Sequence, residues 1–456
     1  MAKNETRYVC HACGASSPKW LGKCSGCGAW NTMVEEKVAP KGALAPRRRA
    51  PASSGGAMPI TEIPADSAMR IPTRIGELDR VLGGGAVLGG AVLVGGDPGV
   101  GKSTLLLQAL ASIARAGAKA LYASGEESAS QTAMRARRLG IDTPSLFFLA
   151  TNDLAEIDNA AREVKPAALV VDSVQTVRSE TIESAAGTVS QLREVTARLV
   201  DLAQREGIAT FLVGHVTKDG ALAGPKVLEH LVDTVLSFEG ERGHSFRALR
   251  TTKNRFGSAT EVGLFEMSPD GMREVTQPSA LFLAERPEGA SGSVVAATSE
   301  GARSLLVEVQ ALVGPPGLGT PRRTATGLDG SRLAMLLAVL GRRSGLDVGA
   351  CDVFVNAAGG LRVEEPAVDL AVALAVASSF RAKAFPSDAV VFGEVGLAGE
   401  VRGVSRAAAR LAEAKAMGFR RAIAPASSIE GLSKSDRSGL EIVAIRSLDE
   451  ALEQLG

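Results

Sequence analysis

The sequence carries almost no excess of charge: 51 Lys and Arg stand against 50 Asp and Glu, a net charge of +1. A surface that is basic throughout is thereby excluded, and any polyanion site has to be concentrated locally. Long apolar runs are also missing. None approaches the ~18–20 residues that a membrane span needs, the run Leu333 to Leu340 being far too short, and no apolar stretch of the signal-peptide kind follows the start. This reads as a soluble, cytoplasmic protein with no membrane partner. Cysteines number only five, too few for a disulfide framework, and four of them lie between positions 10 and 27. Such clustering argues for metal ligation in a reducing compartment. No internal repeat recurs at a fixed period.

At about 100–200 residues per domain, 456 residues predict two to four domains. The 51 glycines exceed the roughly 7% of average usage and imply many tight turns or close backbone approaches. Residues 1–50 hold nine Lys and Arg against three acids, a local charge of +6 that leaves −5 for the remainder. Composition divides the chain into four segments. Residues 1–35 form a Cys-rich module with almost no apolar run, which cannot fold on hydrophobic burial alone. Residues 36–64 are rich in Pro, Ala, Gly, Ser and Arg, the composition of a flexible linker. Over 65–275 short apolar runs (Ala91 to Val94, Ala120 to Ala123, Ala168 to Val171, Thr210 to Val213) alternate with helical patterns, as in an α/β domain whose largely parallel sheet is covered on both faces. Residues 276–456 mix strands (Ser304 to Val309, Val353 to Val355) with Ala/Leu-rich helices, a second α/β or α+β domain.

Cys10 and Cys13, then ten residues, then Cys24 and Cys27 make two C-x-x-C knuckles whose thiolates complete a tetrahedral Zn²⁺ shell. With four Cys ligands no coordination position is left for catalysis, so the zinc is structural, and His11 inside the first knuckle is a bystander. Lys19, Trp20, Lys23 and Trp30 offer cations and stacking faces that serve equally for nucleic acid or for covering the module's own core.

Gly96-Asp97-Pro98-Gly99-Val100-Gly101-Lys102-Ser103, followed by Thr104, fits the P-loop pattern between a strand and a helix. Glycines let backbone amides wrap phosphates, the helix N-terminus adds positive potential, Lys102 reaches the β/γ-phosphates, and the Ser103 hydroxyl ligates Mg²⁺. Asp172 ends the run Ala168 to Val171 as the acid that orients the metal through its water shell. Glu126 and Glu127 end the neighbouring strand at the same carboxyl edge, where ligands collect in such sheets. We assign Glu126 as the residue that polarises the attacking water, against the alternative of an acid cluster at a helix N-terminus. His215 to Gly220, including Lys218, follow a strand as a loop without a core of its own. Lys253-Asn254-Arg255-Phe256-Gly257 bring two cations to a strand edge or loop, open to three readings: a phosphate clamp, a DNA contact or a solvated turn.

Together these motifs resemble the bacterial RadA/Sms recombination-repair family, and the resemblance spans essentially the whole chain. It implies a RecA-like P-loop ATPase core between the N-terminal four-Cys zinc module and a C-terminal Lon-protease-like α/β domain. It implies ATP, Mg²⁺ and Zn²⁺ as cofactors, a homo-hexameric ring, single-stranded and branched DNA and a RecA recombinase as partners, and DNA-dependent ATP hydrolysis that drives branch migration. In that family the Lys253 to Gly257 motif is tied to DNA-dependent activity and can act on a neighbouring subunit's nucleotide. His215 falls where RecA-like proteins sense the γ-phosphate and relay it to a DNA-binding loop.

The tail departs from Lon at the residues that matter. Lon-type catalysis needs a Ser activated by a Lys amine, and Ala367 follows Pro366 where Lon has its serine. The best register places Ala408 at the lysine, with Arg410 nearby but permanently charged. The resemblance therefore implies a proteolytically inactive scaffold, with Arg322, Arg323, Arg342 and Arg343 as candidate DNA-facing residues or plain solvated surface. Cys351 reads as a small buried hydrophobe. An ATP-dependent protease, which Ala367 and Ala408 disfavour, and a non-catalytic nucleotide-binding scaffold are the rival functions.

Overall fold

The computed structural model describes residues 5–10, 15–26, 28, 30, 32–38, 59, 61, 69–214, 227–240, 246–315, 320–360 and 362–455. Cys13, Cys27, His215, Lys218 and nearly all of the linker expected over 36–64 lie outside the described residues. The chain divides into two compact units, Met1–Val275 and Thr276–Gly456.

The first unit begins with a small antiparallel sheet of β1 (Glu5–Cys10), β2 (Ser16–Ser17) and β3 (Met33–Val38) in the order β2-β1-β3. The third strand runs past residue 35, where composition alone ended the module. Cys10, Cys24 and Met33 are buried together.

Helix α1 (Gly76–Leu82) precedes an α/β body built from β4 (Ala91–Gly96), α2 (Lys102–Arg115), β5 (Ala120–Ser124), α3 (Ala129–Arg138), β6 (Leu146–Ala150), α4 (Leu154–Val164), β7 (Ala168–Asp172), α5 (Val189–Glu206), β8 (Ala209–Val213), α6 (Val227–Leu231) and β9 (Thr234–Glu239). Strands β10 (Phe246–Asn254), β11 (Val262–Ser268) and β12 (Gly271–Glu274) complete one sheet in the order β12-β11-β10-β9-β4-β8-β7-β5-β6. From β9 to β6 every pairing is parallel, and β10 to β12 add an antiparallel extension.

The continuous apolar runs are explained by burial on both faces. In β5 and β7, Ala120, Tyr122, Ala168 and Val170 face a layer containing α2, while Leu121, Ala123, Leu169 and Val171 face α4 and α5. Alternate side chains of a strand leave opposite faces, so a strand covered twice has no polar register. The edge strand β6 is only partly buried.

The second unit contains α7 (Pro278–Leu283), β13 (Ser293–Glu300), β14 (Arg303–Gly314), β15 (Arg323–Thr326), α8 (Gly330–Arg343), β16 (Asp352–Ala357), α9 (Asp369–Arg381), β17 (Ala389–Val391), α10 (Ala407–Ala416), β18 (Arg421–Pro425) and β19 (Glu441–Ile445). Its mixed sheet has the order β15-β16-β14-β13-β17-β18-β19. Helix α9 is apolar nearly all round and buried over most of its length, the behaviour of a helix enclosed by its domain. Among the described residues no helix is long and apolar enough to cross a membrane.

Candidate nucleotide site

The P-loop leaves the carboxyl end of β4 and enters α2. Gly101 has φ 112° at the N-cap of α2, and a Cβ there would stand 2.2 Å from the Met272 methyl and 2.7 Å from that of Met267. A Cβ on Gly96 would stand 2.5 Å from the Phe238 carbonyl oxygen. At Gly96 the clash is with backbone, and at Gly101, where the methionine methyls can shift, the left-handed φ itself favours glycine. The first intrahelical bond runs from Leu105 N–H to the Gly101 carbonyl, so the earlier amides of the first turn have no partner within the helix and face the loop. Lys102 is buried and donates from Nζ to the carbonyls of Gly96 (2.6 Å) and Asp97 (3.0 Å). Burial pushes its amine below the ordinary lysine range, opposed by the carboxylates of Asp172, Glu126 and Asp97.

Those carboxylates are brought here by the parallel register, which sets Ser124 beside Asp172 at the ends of β5 and β7. Asp172 is buried, and its Oδ2 accepts a hydrogen bond of 2.5 Å from the Tyr122 hydroxyl. Burial, then Asp172, pushes the Tyr122 phenol well up, so it stays a donor. No motif marks Tyr122, although a tyrosine inside an apolar run signals a hydroxyl that needs a partner. The two glutamates separate clearly. Glu126 accepts from the Ser173 hydroxyl at the end of β7, whereas Glu127 is ion-paired with Arg135 and accepts from Thr132 Oγ1 (3.4 Å), both on α3. Glu126 thus faces the Lys102 and Asp172 cluster while Glu127 is tied into the helix that follows.

Lys253 to Gly257 lie elsewhere. Lys253 and Asn254 belong to β10, which is longer than its sequence pattern indicated, and Asn254 pairs with Thr234, which in turn pairs with Val92. This is the amino edge of β4, four residues before Gly96 or roughly 13 Å along the strand. Lys253 Nζ donates to the carbonyls of Glu229 (2.6 Å) and Val232 (2.7 Å), at the end of α6. Burial and the adjacent Arg255 guanidinium push its amine down, with Asp233 and Glu229 opposing. Asn254 Oδ1 accepts from Phe256 N–H (2.9 Å), and the Phe256 carbonyl accepts from Arg70 (2.6 Å). Arg255 touches Asp233 at 3.2 Å but is 56% exposed. Lys253, Asn254 and Phe256 are therefore knitted into the body of the first unit, and Arg255 projects outward.

In the small sheet, Gly26 N–H points at Cys24 Sγ (3.3 Å) and Cys10 Sγ lies 3.1 Å from Thr32 Oγ1. Buried sulfurs supplied with polar partners fit thiolate ligation, and Cys10 and Cys24, with Cys13 and Cys27, would hold Zn²⁺. Trp20 donates from its indole to the Met33 carbonyl (3.2 Å), and Lys23 lies 5.7 Å over the exposed Trp30 ring.

In the second unit, Ala367 is buried, and the side chain that α10 turns toward Glu364 to Asp369 is that of Arg410, two residues beyond the register expected at Ala408. Arg410 is fully buried, ion-paired with Glu365, and donates to the carbonyls of Ala297 (2.6 Å) and Ser405 (3.1 Å). The helical phase decides this, because residue 410 faces the sheet while residue 408 is only partly buried. Cys351 is partly exposed, not the buried hydrophobe that its isolation implied.

The fold and the P-loop define a RecA-like P-loop ATPase core joined to a zinc ribbon and a ChlI/Lon-like domain. Family models match in the same order: a rubredoxin metal binding domain over residues 8–35, an AAA domain over 58–221, and the ChlI subunit of Mg-chelatase over 331–428. The chain belongs to the DNA repair protein RadA family, being 51% identical over 457 residues to the Bacillus subtilis protein of that name, with 99% of each chain covered. It is 49% identical to the Pseudomonas aeruginosa protein, with 100% of each covered, and 48% identical to that of Listeria monocytogenes, with 99% of this chain and 98% of that one covered. A crystal structure of a KaiC-like protein from Pyrococcus horikoshii superposes on 46% of this chain and 99% of its own, with 20% identity and a TM-score of 0.39.

Proposed function

We propose that this protein is a DNA-stimulated ATPase of recombinational repair, working as a homo-hexameric ring that passes single-stranded DNA and promotes branch migration alongside a RecA recombinase. The names of its relatives support the repair role. The observation that carries the motor reading is the division of the sheet into two working edges. Lys102, Asp172 and Glu126 gather at the carboxyl edge, and Arg255 projects from the amino edge, two strands aside from β4 and more than roughly 13 Å from its own P-loop. In this mechanism Gly96 to Thr104 cradle the phosphates of ATP as substrate, and Lys102 exchanges the Gly96 and Asp97 carbonyls for phosphate oxygens. Glu126, oriented by the Ser173 hydroxyl, takes the proton of the attacking water. Ser103, with Asp172 through water, would hold Mg²⁺, which supplies charge neutralisation at the phosphates. Arg255 serves a neighbouring subunit's nucleotide or the DNA, and Lys253 braces the stem behind it.

The test is ATP hydrolysis with and without single-stranded DNA at fixed moderate salt, for wild type, Lys102→Ala and Arg255→Ala. Wild type responds to DNA, and Arg255→Ala binds ATP without that response. If Arg255 acts across a subunit boundary, equimolar mixing of Lys102→Ala with Arg255→Ala restores the DNA response at roughly a quarter of the sites, because each contributes one intact half of an interface. A wild-type rate indifferent to DNA would refute the motor and turn attention to a protein partner.

A further inference from the structure

The second unit contains a cavity of about 290 Å³ between α8, β16 and the stretch leading into α9. Its walls include Leu328, Leu333, Val355 and Val368, and Asp329 and Glu364 contribute carboxylates. Ligand pockets run from roughly 300 to 1,000 Å³, so this one lies at the small end of that range and suits one or two side chains. Charges on its lining are unequally matched. Asp369 is consumed by Arg332, through bonds of 2.9 and 3.0 Å from Nε and a further one from Nη2, and Glu365 is consumed by Arg410. Asp329 spends its carboxylate on Ser331 and the Arg332 amide at the head of α8, and among the described residues it makes no ion pair, although the Arg362 guanidinium acts on it from a distance. Glu364 pairs only with Arg362, both side chains being about three-quarters exposed, a contact of little energetic weight. The mouth of the cavity therefore sets two carboxylates, Asp329 and Glu364, against the one guanidinium of Arg362, and its body is aliphatic.

Beside it runs β15, the terminal strand of the sheet, which pairs with β16 and with no other strand among the described residues. Val353 N–H donates to the Arg322 carbonyl (2.8 Å). By the alternation of a parallel ladder, Thr324 and Thr326 then turn their amides to β16, and Arg323 and Ala325 turn theirs to the open side. The edge is closed further on, where Val363 N–H takes the Gly327 carbonyl (2.8 Å). Ala325 thus lines the cavity and presents its own N–H and C=O at the open part of the edge.

We infer that this groove is a peptide-binding site: an extended segment of a partner protein pairs with β15 at Ala325, places an aliphatic side chain in the cavity, and sets a Lys or Arg against Glu364 and Asp329. An unpaired strand edge beside a side-chain pocket is the physical basis of strand-addition recognition. The excess of one carboxylate over Arg362 at the mouth favours a basic side chain over a phosphate. The segment is held and not cut, because Ala367 offers no nucleophile and Arg410 is engaged by Glu365.

The probe is a fluorescein-labelled, C-terminally amidated hexapeptide of alternating threonine and leucine ending in lysine, followed by anisotropy against the full-length protein without nucleotide. Saturable binding is expected. Replacing the peptide's leucines by glycine weakens it roughly tenfold or more. Glutamate in place of the lysine, or Glu364→Lys in the protein, weakens it about fivefold, and the two changes together restore it. Ala325→Pro removes an outward amide without touching the ladder and abolishes binding, while the denaturant midpoint of the second unit stays near the wild-type value and reports an intact fold. The inference is overturned by absence of saturable binding, by binding that Ala325→Pro and Glu364→Lys both leave intact, by cleavage of the peptide, or by a single-stranded oligonucleotide whose binding is lost in Ala325→Pro.

Discussion

Glu126→Gln is the substitution on which the catalytic reading turns. Glu126 and Glu127 are adjacent, alike in chemistry and both at the carboxyl edge, so only their partners tell them apart. Glu126 accepts from Ser173 at the end of β7, beside the Lys102 and Asp172 cluster, and Glu127 is held by Arg135 and Thr132 on α3. A positioned general base contributes about 10²–10⁴-fold, or roughly 3–5 kcal/mol of barrier. Glutamine keeps the shape and the hydrogen bond from Ser173 but cannot take a proton from water. Single-turnover hydrolysis by Glu126→Gln is therefore expected to fall by about 10²-fold or more, with nucleotide affinity held within a few-fold. Glu127→Gln instead forfeits an ion pair at the base of α3, worth about 1 kcal/mol of stability, and hydrolyses ATP at near the wild-type rate. Equal loss in both variants, or a Glu126→Gln protein that turns over normally, would remove Glu126 from the base role.

Other expectations follow from the same contacts. Tyr122→Phe leaves a buried carboxylate short of a donor, so denaturant unfolding of the first unit should show a loss of about 1.5–3 kcal/mol, with a higher Mg²⁺ requirement for hydrolysis; an unchanged midpoint would contradict the buried bond. Arg410→Ala leaves the partly buried Glu365 with the Thr298 hydroxyl and the Ser299 N–H as donors and empties a fully buried site, and the second unit is expected to lose about 2–4 kcal/mol in the same assay; a loss below 1 kcal/mol would place water at that pair. Lys102 has its folded pKa below its ordinary value of 10.5. Its burial penalty is thus fully present at neutral pH and disappears as pH rises from that lowered value through 10.5. Lys102→Met should flatten that rise in stability in nucleotide-free protein, and thermal unfolding at neutral and alkaline pH checks it. Cys24→Ser is expected to release zinc, read by a chromogenic chelator, with ATP affinity preserved; collapse of ATP binding would show that the modules fold as one.

Much of the chemistry was legible because it is local. A P-loop is eight consecutive residues folding round one phosphate group, and two C-x-x-C knuckles are short turns, so their order along the chain already carries the geometry. The parallel strands were legible for a related reason: burial on both faces leaves uninterrupted apolar runs. Contacts set by strand order and register are not encoded this way. The Tyr122 bond to Asp172 joins residues fifty positions apart through neighbouring strands, and the placement of Lys253 to Gly257 at the amino edge depends on an antiparallel register that no local pattern reports. Arg410 meets Glu365 because α10 docks with one helical phase and not another. The open edge of β15 beside an acidic, aliphatic cavity exists only once four separate segments are packed. Residue types and spacing decide which chemical groups are available within a turn or two of chain, and the long-range pairing of strands decides which of them meet.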